Sequence, residues 1–150
     1  MLTSKLKSFL GSALGMGMGT CDANLVPDFS RVLGARAIDD YHIQFFIDLP
    51  TSTRTLDNLR DNGKLSVVVV EIHNAESYQL KGRFVSESNV TPEEQDYINT
   101  YLINFDKVAV DIGLLPGVLF NYPHSDMMTI TMEVQEIFEQ TPKKGTGQKL

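Results

Sequence analysis

Apolar and polar positions alternate with a period of two along most of the chain, and two stretches switch to helical spacing. Phe29, Leu33 and Ala35 alternate with Ser30, Val32 and Gly34, Asp39-Asp40 supplies turn chemistry, and residues 41–47 resume a strand pattern. A β-meander is therefore expected from about Thr20 to Ile47. Hydroxyls at Ser52 and Thr53, Leu56 and Leu59 at helical spacing and Gly63 at the exit predict a short helix over residues 52–63. Leu65-Ser66-Val67-Val68-Val69-Val70-Glu71-Ile72 is too β-branched for a helix and too continuously apolar for a surface strand, so a central buried strand is expected there. A further strand follows over residues 78–85, with Tyr78, Leu80 and Phe84 facing in.

Thr91-Pro92-Glu93-Glu94 is a capping box with proline at the first helical position, and Ile98, Tyr101, Leu102, Phe105 and Val108 form one apolar face behind it. The stretch 113–120 breaks this helix and is apolar for a connection, which predicts that something covers it. Met128, Ile130, Met132 and Val134 alternate with polar neighbours in the last strand, and a solvated tail is expected from Pro142 onward. Six strands joined by short turns, with two inserted helices, give a mainly β fold with short helices. The expected architecture is a small antiparallel barrel with helices at its edges.

Length and charge narrow the reading. The 150 residues suit a single domain spanning 1–150, and 42% hydrophobic content suffices for one core. Thirteen Lys and Arg against 19 Asp and Glu leave a net charge of −6, which disfavours nucleic acid and anionic membrane surfaces as partners and requires any anion site to be local. Cys21 is the only cysteine, so no intrachain disulfide can form and a reducing compartment is compatible. Lys5 and Lys7 ahead of an apolar stretch and Cys21 loosely imitate an exported lipoprotein leader. That stretch is short and interrupted by Gly11, Gly15, Gly17 and Gly19, and no run approaches the roughly 20 apolar residues of a membrane-spanning helix. A soluble, cytoplasmic protein is expected.

Few constellations carry chemistry. Gly15-Met16-Gly17-Met18-Gly19 has phosphate-loop spacing but neither a preceding strand nor a closing Lys-Ser/Thr. His42, His73 and His124 lack metal-ligand spacing, no metal site is expected, and Cys21 has no nominable partner base. The first helix entry is more pointed. Ser52, Thr53 and Thr55 place hydroxyls where backbone N–H groups are unpaired, and Arg54 adds a permanently charged donor fork, a combination that serves a phosphate as well as an ordinary cap. Arg31 and Arg36 bracket Val32-Leu33-Gly34-Ala35. Five residues apart, they reach one ligand only through a bulge, a strong twist or a site shared between subunits.

These residues resemble the pyridoxamine 5′-phosphate oxidase-like, FMN-binding split barrels over most of the chain. Arg31-Val32-Leu33-Gly34-Ala35-Arg36 is similar to the family strand that lies along the flavin and helps hold its phosphate. Thr53-Arg54-Thr55 with Leu59, Asn62 and Ser66 resembles the family's phosphate turn and following helix, and Tyr78-Gln79-Leu80-Lys81-Gly82 resembles the strand that sends a polar side chain toward the flavin across the dimer interface. Phe138-Glu139-Gln140-Thr141-Pro142 is similar to the ending of small members. The chain has no Trp, stops soon after its last strand and carries Thr55 where the oxidases often have Lys, so vitamin B6 oxidation is not expected.

The resemblance implies an antiparallel split β-barrel of the FMN-binding type and a homodimer with FMN in clefts between subunits. Arg31, Val32, Leu33, Gly34, Arg36, Ser52, Thr53, Arg54, Thr55, Gln79 and Lys81 are the implied cofactor-binding residues. An FMN-dependent oxidoreductase or flavin reductase acting on a small-molecule substrate, with a nicotinamide reductant, is the leading expectation; a non-catalytic flavin-, heme- or deazaflavin-binding module is the alternative, and an empty structural dimer a third. No catalytic residue is nominated. The apolar 114–120 segment and the valine strand at 67–70 offer more hydrophobic surface than one small barrel needs, which is consistent with a dimer.

Overall fold

The computed structural model of the chain describes residues 1–117 and 126–150. Its strands are β1 (Gly15–Cys21), β2 (Pro27–Ala37), β3 (His42–Asp48), β4 (Lys64–Val70), β5 (Ser77–Asn89) and β6 (Met127–Glu139). Helix α1 (Ser4–Leu10) precedes them, α2 (Thr53–Asn62) joins β3 to β4, and α3 (Pro92–Asp111) joins β5 to β6. All strand pairs are antiparallel, and they close a barrel in the order β1, β2, β3, β6, β5, β4. Closure leaves no unpaired sheet edge along the circuit.

Met18, Val32, Ala35, Ile43, Phe45, Ile47, Val67, Val69, Leu80, Ile130 and Met132 fill the barrel core. Each large apolar side chain buried this way contributes about 1.5–3 kcal/mol. Leu2, Leu6, Leu10 and Leu14 join the same core, so the segment that imitates a leader is built into the fold as α1. Strand β1 is the second element without a clear sequence signal. Met16, Met18 and Thr20 face in while Gly15, Gly17 and Gly19 face out, and glycine's poor strand propensity hides that alternation. The Phe29 ring lies over Gly17, where a Cβ would come within 2.1 Å of it, so a side chain at this position would displace the exposed ring.

The inward set of β2 differs from expectation. Ser30 and Val32 point into the barrel, whereas Phe29 stands 70% exposed on the outer face. A bulge between Val32 and Ala35 explains the reversal, with Gly34 at φ 139°, a backbone conformation that side chains resist. One extra residue restores Ala35 to the inside and places Arg31 and Arg36 on the same outer side. The valine strand is buried on one face only, since Val67 and Val69 point inward and Val68 is 40% exposed.

Helix α2 lies across one end of the barrel. Leu56 and Leu59 are buried beneath it, Asn58 Nδ2 donates to Thr20 Oγ1 at 3.0 Å, and the Thr55 and Ser30 hydroxyls bond at 2.7 Å. Helix α3 crosses the outside of β2, where the Tyr97 hydroxyl donates to the Ala35 carbonyl at 2.6 Å and the Tyr101 hydroxyl donates to the Leu14 carbonyl. Leu114 and Leu115 are exposed, and the remainder of the apolar connection, 118–120, lies outside the described residues, as does His124. The tail is not simply solvated. It folds back on β6, with Leu150 N–H donating to Ile137 O and Glu139 N–H donating to Gln148 O, both at 2.9 Å.

Candidate functional site

The N-terminus of α2 is uncapped. Ser52 occupies the cap position but makes no side-chain bond to the helix, and its Oγ is buried without a hydrogen-bond partner among the described residues. The first intrahelical bond runs from Leu56 N–H to Ser52 O at 3.0 Å, so the amides of Thr53, Arg54 and Thr55 stand ahead of it. Three forward-pointing N–H groups and the positive end of a ten-residue helix favour an anion.

Arg54 stands at this helix end with its side chain 54% exposed, and its only carboxylate neighbour among the described residues is Asp22, at 3.8 Å. Thr53 is exposed. Thr55 is fully buried, and its hydroxyl is committed to Ser30 and to Asp28 Oδ2, the latter at 2.7 Å. The rim thus combines one loosely held guanidinium with two aspartates, Asp22 and Asp28, that the sequence pattern did not flag. β3 pairs with β2 only from Val32 onward, so residues 27–31 of β2 run past it beside the α2 terminus. Arg31 lies in that run and has no carboxylate partner among the described residues.

Beyond Arg31, a cleft of about 260 Å³ opens between α3 and the outer face of β1 and β2. It is lined by Leu33, by the backbone at Gly15, Met16 and Val32, and by Phe29, Tyr101 and Phe105. The Tyr101 and Phe105 rings stack at 5.8 Å. Burial pushes the Tyr101 hydroxyl above the ordinary tyrosine range, with the Arg31 charge opposing it, and burial likewise raises Tyr97. Tyr101 reads as a core residue in sequence, and the bulge that turns Phe29 outward has no signal in the alternation except Gly34.

The remaining expected residues lie elsewhere. Arg36 shares the outer side with Arg31, but α3 packs over Gly34 between them, with Tyr97 and Tyr101 against that glycine. Its guanidinium bonds to Gln44 Oε1 at 2.7 Å and to Glu93 and Glu94 at 3.2 Å each. Gln79 and Lys81 stand on the outer face of β5, separated from β2 by two intervening strands. Gln79 donates to Ser66 Oγ at 3.0 Å, and Lys81 Nζ lies 4.8 Å from the Phe138 ring centre. Ser30 and Asp28 of β2 thus hold Thr55 at the α2 terminus, where Ser52, Thr53 and Arg54 stand, while Arg31, Val32 and Leu33 line the cleft against α3, and within one chain Arg36, Gln79 and Lys81 lie outside both.

Other chemistry is sparse among the described residues. No group of three or more His, Cys, Asp and Glu could hold a metal ion, and no helix is long and apolar enough to cross a membrane. His42 Nδ1 lies 2.7 Å from Asp39 Oδ2, and His73 Nε2 is 3.9 Å from Asp111, both away from the cleft. Backbone donation from Tyr41 and the bond with His42 hold the Asp39 carboxyl down to about 2.

No protein-family model and no curated protein matches the chain. Solved structures do. HupZ of Group A Streptococcus aligns over 99% of this chain and 99% of its own at 19% identity, with a TM-score of 0.58. An FMN-binding protein from Syntrophomonas wolfei subsp. wolfei aligns over 87% and 84% respectively, at 15% identity and a TM-score of 0.54. A protein of the pyridoxinephosphate oxidase family from Clostridium acetobutylicum, related to general stress protein 26, aligns over 93% and 85% at 15% identity and a TM-score of 0.50.

Proposed function

The chain has the fold of the pyridoxamine phosphate oxidase-like, FMN-binding split barrels, and on that premise we propose that it binds FMN and serves as a flavin-dependent oxidoreductase or flavin reductase for a small substrate. The observation that carries the reading is the uncapped α2 terminus with the exposed Arg54 guanidinium and the unpartnered Ser52 hydroxyl beside it. A phosphate there would meet the amides of Thr53, Arg54 and Thr55 and the Arg54 guanidinium, with Arg31 next along β2 from the Ser30 that bonds Thr55. The residues fit one phosphate rather than a larger anion, because Asp22 and Asp28 limit the local positive charge.

Bound FMN would supply hydride or electron transfer at its ring, and the protein's part is binding and orientation. Val32, Leu33 and the aromatic walls of the cleft exclude water beside Arg31. Thr55 acts from inside by tying α2 to β2 through Ser30 and Asp28. Arg36 is left out of the phosphate site, since two carboxylates and Gln44 already satisfy it. Phe29 and Val68 on the outer face favour burial against a second copy, which makes the proposed assembly a homodimer.

The test is an absorbance spectrum of the protein after FMN is added and the excess removed. Retained bands near roughly 370 and 450 nm, followed by bleaching with NADH or NADPH, support the assignment. A colourless protein after reconstitution contradicts it, and heme or deazaflavin would then be tried by the same procedure.

A further inference from the structure

Strand β6 outruns one of its neighbours. β3 pairs with it from Met127 to Glu133, and that side closes with Val134 N–H donating to Tyr41 O at 2.8 Å, while β5 accompanies the other side as far as Glu139. From Ile137 to Glu139 the side that β3 leaves is taken by the chain's own tail. Leu150 N–H donates to Ile137 O and Glu139 N–H to Gln148 O, both at 2.9 Å, and Gly147 N–H donates to Glu139 O at 2.6 Å, with Lys149 opposite Phe138. The turn that brings the tail back is closed by the Thr146 hydroxyl, which donates to Thr141 O at 2.6 Å.

The tail holds this seat loosely. Residues 147–150 make the whole pairing, and so short a strand against one neighbour is marginal in water. Charge assists it: residues 143–150 carry three Lys and no Asp or Glu, Lys149 Nζ bonds Glu136 Oε1 at 2.7 Å, and Lys143 Nζ bonds Glu139 Oε1 at 2.9 Å. The apolar fit is incomplete. Between α1 and β6 lies a cavity of about 210 Å³ walled by Leu6, Tyr78, Val134 and Ile137, all of them buried. Leu150 lines it yet is 66% exposed, so most of its side chain stays outside.

We propose that this end of β6 is a peptide-binding edge and that the tail is its built-in competitor: an extended segment of another protein, carrying Lys or Arg followed at once by a large apolar residue, adds to β6 in place of residues 147–150. Main-chain bonds to Ile137 and Glu139 supply affinity for any extended chain, and alternate side chains supply selectivity. Successive residues of a strand face opposite ways, so a basic residue at the Lys149 position meets Glu136 while the next one enters the cavity. An aromatic side chain there buries more apolar surface than Leu150 does. Being tethered, the tail competes at an effective concentration of about 1 mM, which only a better-fitting segment overcomes. The edge shares no residue with the α2 terminus or the cleft beside α3, and its action needs no cofactor.

The experiment is fluorescence anisotropy with two labelled peptides, one of residues 143–150 and one identical except for Leu150→Phe, titrated with the full chain and with its Gly147→Pro variant. Proline at 147 removes the N–H that Glu139 O accepts and cannot take the φ of 90° found there, so the tail is released. The variant should bind both peptides at least about tenfold more tightly than the parent chain, and the Phe peptide about threefold more tightly than the Leu peptide. Glu136→Lys in the released chain should weaken the Leu peptide by about two- to fivefold, and Lys149→Glu in that peptide should restore it. Hydrogen exchange locates the contact: the Glu139 amide should exchange faster in Gly147→Pro and be slowed again by peptide. If circular dichroism shows Gly147→Pro unfolded, the Lys149→Ser, Leu150→Ser double variant replaces it with the same expectations. A released chain that binds neither peptide, equal affinity in parent and released chains, or binding that leaves Glu139 exchange unchanged overturns the proposal.

Discussion

Helices α2 and α3 each begin beside an arginine, Arg54 in the first turn of α2 and Arg36 of β2 at α3, yet the two ends are built for different purposes. At α3, Thr91 Oγ1 accepts from Glu94 N–H and Glu94 Oε2 accepts from Thr91 N–H, closing a capping box, while Glu93 and Glu94 hold Arg36. At α2 the cap residue turns away, and Arg54 has one distant neighbour. The same ingredients of helix dipole, hydroxyl and guanidinium are consumed internally in one case, while in the other the guanidinium is exposed and the buried hydroxyl is left without a partner among the described residues. A helix end with nothing left to satisfy is architecture, and one with three amides and a guanidinium to spare has capacity for a ligand.

The largest effect expected from breaking this comparison is at Glu94. Its side chain is 5% exposed, pairs with Arg36, caps α3 and accepts from the buried Thr129 hydroxyl at 3.1 Å. Glu94→Ala strands the Thr91 amide and the buried Thr129 hydroxyl and takes one of two carboxylates from Arg36, and should cost about 3–5 kcal/mol of stability, read by urea denaturation. A loss below about 1 kcal/mol would show that the α3 junction is not the fixed one.

Arg54→Ala comes next and should leave stability within about 0.5 kcal/mol, since nothing buried depends on Arg54. Its effect belongs in FMN titration, as a loss of about 1–3 kcal/mol in binding. The smallest effect is at Ser52. A cap serine replaced by alanine ordinarily costs about 1 kcal/mol, but Ser52 Oγ makes no cap bond, so ligand-free Ser52→Ala should unfold within about 0.5 kcal/mol of the parent. A full cap penalty in thermal or urea unfolding would mean that the α2 end is capped like α3.

The same contrast shows what the residues disclosed before the fold was known. Thr91-Pro92-Glu93-Glu94 announces its helix because every element of that cap is local in sequence, and the alternation of β6 is legible for the same reason. The patterns of the five strands other than β1 make the antiparallel barrel the expected fold. Strand β1 and helix α1 escape because a glycine run and a leader-like start mask their periodicity. Phe29 is misassigned because a single bulge at Gly34 shifts the alternation, and no count of apolar positions registers one extra residue. At the candidate site, Arg31, Ser52, Thr53 and Arg54 are visible as a pattern. The engagement of Arg36 by Glu93 and Glu94, 57 and 58 positions away, and the presence of Asp22 and Asp28 at the rim depend on tertiary placement alone.

The most direct test of the distinction between the two helix ends is FMN titration of Arg54→Ala and Arg36→Ala side by side with the parent chain. The account predicts that Arg54→Ala weakens binding by about 5- to 150-fold, the equivalent of about 1–3 kcal/mol, while Arg36→Ala holds FMN within about twofold. Weakened binding in Arg36→Ala together with unchanged binding in Arg54→Ala would contradict it and move the phosphate to the α3 side of β2.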